Sequence, residues 1–304
     1  MKKRILITGG TGFIGYHLAK KCVRIGWEVT SFSKKKPKLI RTLKKVNYLT
    51  GDLTKKKDLK VLKKKFDYIV NAAGVVDHSS SKNVFKAHYL GCKNLANFFL
   101  KRKIELFLQI GSCVEYGPQK SPQKEDYKSK INDLKSMYSK GKFAASQYLM
   151  ELHKKYKFPI IVFRLYLNYG PNQDFNRFLP VIIDGCIRDK KFPCSSGIQY
   201  RSFTYIDDLV KAIITALKKP HLSGNAFNIG NDKPVKIKNV IQFIKKYLNK
   251  GKPLYGKIKF RKDEIKFLYP NISKAKLLLN WRPKVSFSQG LTKTINYYKS
   301  NIIL

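Results

Sequence analysis

An α/β fold is what this 304-residue sequence predicts: a doubly wound parallel sheet with a smaller C-terminal lobe. Two observations carry that prediction. Short apolar runs alternate with stretches of helical periodicity through the first half of the chain. A glycine-rich loop joins the first apolar run to the first helical stretch, which is how strand–helix–strand units of a parallel sheet begin.

The elements follow in order. "RILIT" (4–8) reads as a buried strand, and "FIGYHLAKKCVRI" (13–25) as a helix that ends at Gly26. "EVTSFS" (28–33) and "VNYLTGD" (46–52) are the second and third strands. A basic helix is predicted over 56–65, then a strand in "YIVNAAG" (68–74) and a long helix over 81–100. "LFLQIGS" (106–112) is the next strand, followed by a helix over 136–156 and the strand "IIVFRLY" (160–166). Beyond this point "RFLPVIIDGCI" and "VKIKNVIQFIKKYLN" read as helices and "AFNIG" as a short strand. The division expected is a nucleotide-binding domain over 1–170, joined by sheet segments from about 200–230, and a discontinuous lobe over 171–304.

Composition narrows the class. With 43% hydrophobic residues the chain can bury a core, and no apolar run approaches the roughly 18 residues that span a bilayer. The opening "MKKRILITGG" is a strand entering a glycine loop rather than a secretion signal. Cys22, Cys92, Cys113, Cys186 and Cys194 are odd in number and contain no CxxC pair. They read as reduced thiols of a cytoplasmic protein, with no disulfide framework and no metal site. The formal charge of +44 is extreme, yet the lysines are spread along the whole chain. Solvated basic faces are the expectation, with no specific nucleic-acid partner.

"ITGGTGFIG" places Gly9, Gly12 and Gly15 between strand and helix, where bare backbone can approach a pyrophosphate and a helix N-terminus can receive it. The predicted fold is therefore of the Rossmann type. A site for NAD carries an acid at the end of the second strand, to accept from the ribose 2′-hydroxyl. Here that end is Ser33 followed by Lys34, Lys35 and Lys36, which suits a 2′-phosphate. NADP(H) is favoured, with NAD(H) as the alternative.

"YSKGK" pairs Tyr138 with Lys142, but lysine is so common that the same spacing also arises at Tyr16/Lys20, Tyr89/Lys93, Tyr116/Lys120 and Tyr255/Lys259. Only the surroundings separate these pairs. Tyr138 alone opens a long helix soon after a strand that ends in serine, Ser112. On a helix, positions i and i+4 share a face.

Together these segments resemble the extended short-chain dehydrogenase/reductase family of nucleotide-sugar epimerases, dehydratases and reductases, over nearly the whole chain. "TGGTGFIG" resembles its cofactor loop, which implies cofactor contacts from Gly9, Thr11, Gly12, Phe13, Ile14 and Gly15. Ser33 and Lys34 lie at the ribose end of that loop. "GDL" resembles the adenine-contacting segment, here Asp52 and Leu53, and "NAAG" the loop lining the cofactor, here Ala72, Ala73 and Gly74. "GSCVEYG" places the catalytic hydroxyl on Ser112, and "YSKGK" supplies Tyr138 and Lys142, which also touch the cofactor. "RLYLNYGP" and "QYRSFTYIDDL" imply substrate contacts from Asn168 and Arg201, beside Ser112 and His78.

What the resemblance implies is hydride transfer at C4 of a nucleotide-diphospho-hexose, with a Tyr phenol moving the proton, Lys142 favouring its ionised form and Ser112 holding the reacting oxygen. The family's dehydratases carry Asp-Glu directly after the catalytic hydroxyl. Cys113 and Val114 stand there, which argues against dehydration. His88 replaces a customary Asn, and Glu115 is expected to be structural. "GSCVEYG" is more similar to reductases of deoxysugar pathways than to epimerases. The expectation is an NADPH-dependent reductase of a 6-deoxyhexose nucleotide in surface-polysaccharide synthesis. An NAD-dependent 4-epimerase is the first alternative, and a non-catalytic nucleotide- or RNA-binding relative is the alternative from another class. Relatives imply a homodimer formed through helices 82–100 and 136–156.

Overall fold

The structure, a computed structural model, describes residues 2–75, 82–260 and 264–302. Six parallel strands, β1 (Arg4–Thr8), β2 (Glu28–Ser33), β3 (Val46–Thr50), β4 (Tyr68–Asn71), β5 (Leu106–Ser112) and β6 (Ile160–Leu165), form most of the central sheet. Helices α1 (Phe13–Arg24), α2 (Lys82–Phe99) and α3 (Met137–Tyr156) connect them. After β7 (Leu167–Tyr169) come α4 (Phe178–Ile187), β8 (Lys191–Pro193), β9 (Tyr200–Arg201), β10 (Phe203–Tyr205) and α5 (Ile206–Leu217). The seventh sheet strand, β11 (Asn225–Ile229), follows, pairing parallel with β6. Spatial order is β11-β6-β5-β4-β1-β2-β3, so the chain reverses direction across the sheet between β1 and β4. Ligands bind at the carboxyl ends of strands beside such a switch point.

Alternation along each strand separates two cores. Ile5, Ile7, Val70, Leu108 and Phe163 face one side with Leu18 of α1 and Leu209 and Ile213 of α5. Leu6, Ile69, Phe107 and Val162 face the other with Leu95 of α2 and Leu149 of α3. Both faces are covered, which is why the strands read as continuous apolar runs. The C-terminal elements are β12 (Val235–Lys236), α6 (Ile237–Leu248), β13 (Lys252–Leu254), β14 (Phe267–Leu268) and α7 (Phe287–Ile302). Trp281 ties the last segment to α5 by donating its indole N–H to the Asp208 carbonyl at 2.9 Å.

The helix expected over 56–65 is instead a 3₁₀ turn, Lys56–Val61. Its lysines repel one another at i, i+4 (Lys56/Lys60, Lys60/Lys64), and no acid compensates on that face. The two buried anchors, Leu59 and Leu62, are three residues apart, the period of a 3₁₀ helix. The strand expected over 68–74 ends at Asn71, and the backbone then leaves the sheet to form a wall of the site. Among the described residues no helix is long and apolar enough to cross a membrane.

Candidate active site

The β1–α1 turn forms because Gly9 adopts φ +70°, a left-handed conformation that side chains disfavour. A β-carbon there would lie 2.7 Å from the Ala72 carbonyl oxygen, so the turn packs directly on the segment after β4. Helix α1 begins after Gly12 with no side-chain cap and no acidic residue in its first turn. Its amide groups and positive dipole end are therefore directed at the cavity, as a diphosphate requires. Gly9, Gly12, Phe13, Ile14 and Gly15 line one wall of a cavity of about 680 Å³, with Ala72, Ala73 and Gly74 also in that wall.

Thr11, Ser33, Lys34, Asp52 and Leu53 stand outside this wall but are tied together. The Thr11 amide donates to Ser33 Oγ at 3.4 Å, and Lys34 Nζ is 2.9 Å from Asp52 Oδ2. Burial pulls the Asp52 carboxyl upward, but bonds from Thr54 and Lys34 outweigh it and hold the group below its ordinary value. The Leu53 carbonyl accepts from Asn94 of α2 at 2.9 Å. No carboxylate occupies the end of β2.

Ser112, at the end of β5, and Tyr138 and Lys142, in the first turns of α3, meet at the cavity. Ser136 starts α3 by accepting the Ser139 amide at 3.0 Å, which sets the register of the helix. Tyr138 and Ser112 both line the cavity, and the Ser112 side chain favours the Tyr138 phenolate. Lys142 Nζ donates to the Ile110 carbonyl at 2.8 Å and lies 6.0 Å from the centre of the Tyr138 ring. Burial pushes the Tyr138 phenol up to about 12 despite Ser112, and pulls the Lys142 ammonium down to about 8 despite Glu115. At neutral pH the enclosed phenol is thus protonated and Lys142 is charged.

His88 packs edge-on against Tyr138, with ring centres 5.0 Å apart. Its Nε2 is 2.9 Å from the Val75 carbonyl, which can only accept, so Nε2 carries the proton. Burial and the Lys142 charge push His88 down to about 3, against the Val75 bond. Since the folded state binds this proton less readily than the unfolded chain, stability falls as pH drops below about 6.5. Roughly 2 kcal/mol should be lost between pH 6.5 and about 5 through this residue. Urea midpoints at the two pH values should show that slope reduced in His88→Asn; an unchanged slope would exclude a buried neutral His88.

Asn168 and Arg201 also line the cavity. Asn168 donates to the Tyr166 carbonyl at 2.9 Å, while its buried Oδ1 has no partner. Arg201 is ion-paired with Glu264 and donates to the Tyr200 carbonyl at 2.7 Å. Cys113 and Val114 form part of the wall beside Ser112, and burial pushes the Cys113 thiol up to about 12. His78 lies outside the described residues. Sequence reasoning passed over Arg177, Gln173 and Asp174, which complete the wall, and the buried Glu115–Arg164 pair behind Ser112. One signal for the pair was legible: Ser112-x-x-Glu115 is the spacing of a capping box.

A model of the NAD dependent epimerase/dehydratase family matches residues 5–230. The chain is 28% identical to UDP-glucuronic acid decarboxylase 1 of Arabidopsis thaliana, over 99% of this chain and 71% of that one. It is 29% identical to dTDP-D-glucose 4,6-dehydratase of Homo sapiens, over 98% and 91% respectively. Among solved structures it is similar to UDP-glucuronic acid 4-epimerase from Bacillus cereus in complex with UDP-glucuronic acid and NAD, with a TM-score of 0.88 and 25% identity over 98% of this chain and 99% of that one. With a matching family model across most of the sheet and a phenol, an ammonium and a hydroxyl gathered at the carboxyl end of β5, the chain belongs to the NAD dependent epimerase/dehydratase family and is a nucleotide-sugar enzyme of the extended short-chain dehydrogenase/reductase type.

Proposed function

We propose that the protein reduces the C4 ketone of a nucleotide-diphospho-6-deoxyhexose, with NADPH as the hydride donor. The observation that carries this reading is the convergence of Ser112, Tyr138 and Lys142 on one cavity, with Lys142 one helical turn from Tyr138. A phenol pushed up to about 12 by burial holds its proton at neutral pH, so it is set to donate rather than to abstract. Tyr138 gives its proton to the oxygen at C4 as negative charge grows there, and Ser112 donates a hydrogen bond to the same oxygen. Lys142 stabilises the phenolate left behind and would hold the nicotinamide ribose.

The cofactor fits these residues. Bare turn and uncapped helix would take its diphosphate, with Gly9, Thr11, Gly12, Phe13, Ile14 and Gly15 around it. Ala72, Ala73 and Gly74 would flank its middle, and Asp52 and Leu53 its adenine. Bound NADPH supplies the hydride. Support for NADPH over NADH comes from β2, which ends in Ser33 with Lys34 following and no carboxylate of its own; Lys34, paired with Asp52, keeps a side chain 58% exposed at that edge. Asn168 and Arg201 are assigned to the substrate's diphosphate, and the wall of Cys113 and Val114 favours a methyl group at C5 over a group needing acid–base chemistry.

A 4-epimerase with resident NAD is the second reading, favoured by the likeness to the Bacillus cereus epimerase. It needs Tyr138 as a base, and so more positive charge near the phenol than Lys142 provides alone. A non-catalytic RNA-binding role leaves the convergence of the three groups without purpose. Denaturing the purified protein and identifying the released nucleotide tests the choice. The expected result is no stoichiometric NAD, together with NADPH oxidation across a panel of 4-keto nucleotide sugars; stoichiometric NAD would overturn the reductase.

A further inference from the structure

Behind Ser112 lies a charged pair that the proposed chemistry does not use. The Glu115 side chain is completely enclosed. Its Oε1 accepts the Ser112 amide at 2.8 Å, and its Oε2 is 3.2 Å from Arg164 Nε on β6. The reciprocal bond, from the Val114 amide to Ser112 Oγ at 3.4 Å, completes a capping box around the catalytic hydroxyl. Residue 111 is glycine, and a β-carbon there would lie 2.4 Å from Oε1, so any side chain at 111 would force the carboxylate to move. A single turn could be capped without a buried charge, and burying one is costly unless it is paired. The charge therefore needs a reason beyond the turn.

We propose that Glu115 is a positioning residue of the active site, fixing the Ser112 backbone and holding a buried negative charge behind the Ser112–Tyr138–Lys142 cluster. The inference rests on the reading of Tyr138 as the group that moves the proton. Several groups face this carboxylate. Arg164 approaches from β6, Lys142 and Tyr138 from α3, and Cys92 from α2. Cys113 and Tyr116 lie on its own turn. Glu125 and Lys274 face Arg164 from the other side, and Arg177 and His88 face the Tyr138–Lys142 pair. Among them Glu115 is the largest influence that opposes desolvation at Lys142, and it also raises the phenol of Tyr138. Geometry and charge thus act on the same three residues.

The test separates shape from charge. Glu115→Gln keeps an oxygen for the Ser112 amide and removes the charge. Phenolate absorbance of Tyr138 is read as the difference between each protein and its Tyr138→Phe counterpart, with and without added NAD⁺ and without any sugar. The expected midpoint for Glu115→Gln lies about one pH unit lower. Turnover of whichever sugar the enzyme accepts should fall roughly tenfold on the alkaline side, where Lys142 loses its proton early. Glu115→Asp keeps the charge but is too short for Ser112, so kcat should fall while the midpoint stays. Should Glu115→Gln fail to fold, Glu115→Gln with Arg164→Met removes the orphaned cation, and its midpoint is also expected to move down. An unmoved midpoint in the folded variant overturns the inference. The titration needs no substrate, so it remains readable if the reductase proposal itself fails.

Discussion

Tyr138→Phe should lower turnover by about a thousandfold while leaving dinucleotide affinity unchanged. The ring is buried against His88 and lines the cavity, so removing one oxygen leaves the packing intact. What is lost is the proton donor beside Ser112. A thousandfold loss corresponds to about 4 kcal/mol of transition-state stabilisation, the scale expected of a general acid. Stopped-flow measurement of hydride transfer, alongside a fluorescence titration of the nicotinamide cofactor, separates the two effects. Near-normal turnover in this variant would remove Tyr138 from the chemistry.

The second large effect is expected at the other end of the cavity. Gly9→Ala should weaken dinucleotide binding by at least about a hundredfold, or about 3 kcal/mol. An alanine at φ +70° carries a strain of about 1–2 kcal/mol, and its methyl group would press on the Ala72 carbonyl 2.7 Å away. Relief requires the β1–α1 turn and the segment after β4 to separate, which moves both cofactor walls at once. Ser112, Tyr138 and Lys142 stand on β5 and α3, so their mutual contacts should survive. Calorimetric titration with NADPH and with NADH, and a thermal melt, would show this. Undiminished affinity for both nucleotides would exclude the turn as their binding site.

These two predictions rest on features of different legibility. The glycine turn could be read directly, because strand, tight turn and helix are neighbours in sequence and only bare backbone fits between them. The strands could be read because helices on both faces make their interiors uniformly apolar. Tyr138 and Lys142 share a helix face at i and i+4, but only the serine-ending strand before them and the family resemblance of their surroundings set them apart from four other pairs at that spacing. The basic stretch over 56–65 misled, since helical apolar spacing there competes with repulsion among its lysines and with the 3₁₀ spacing of Leu59 and Leu62.

Other features depend on pairs that no local pattern announces. Glu115 read as a strand-end charge, yet it meets Arg164, 49 residues later, in a closed interior. Arg201 read as a diphosphate contact, and it is paired with Glu264, a partner no local pattern announces. His88 read as a polar substitute for Asn, yet burial makes it a neutral wall for Tyr138. The amino-acid order alone determined the element sequence and the glycine turn, since both follow from short-range backbone geometry and periodicity, whereas Ser112, Tyr138 and Lys142 stood out only through the family resemblance of the segments around them. Only the tertiary structure decided which charges are paired, which protons are held and what stands behind Ser112, because those depend on desolvation and on contacts between residues far apart in the chain.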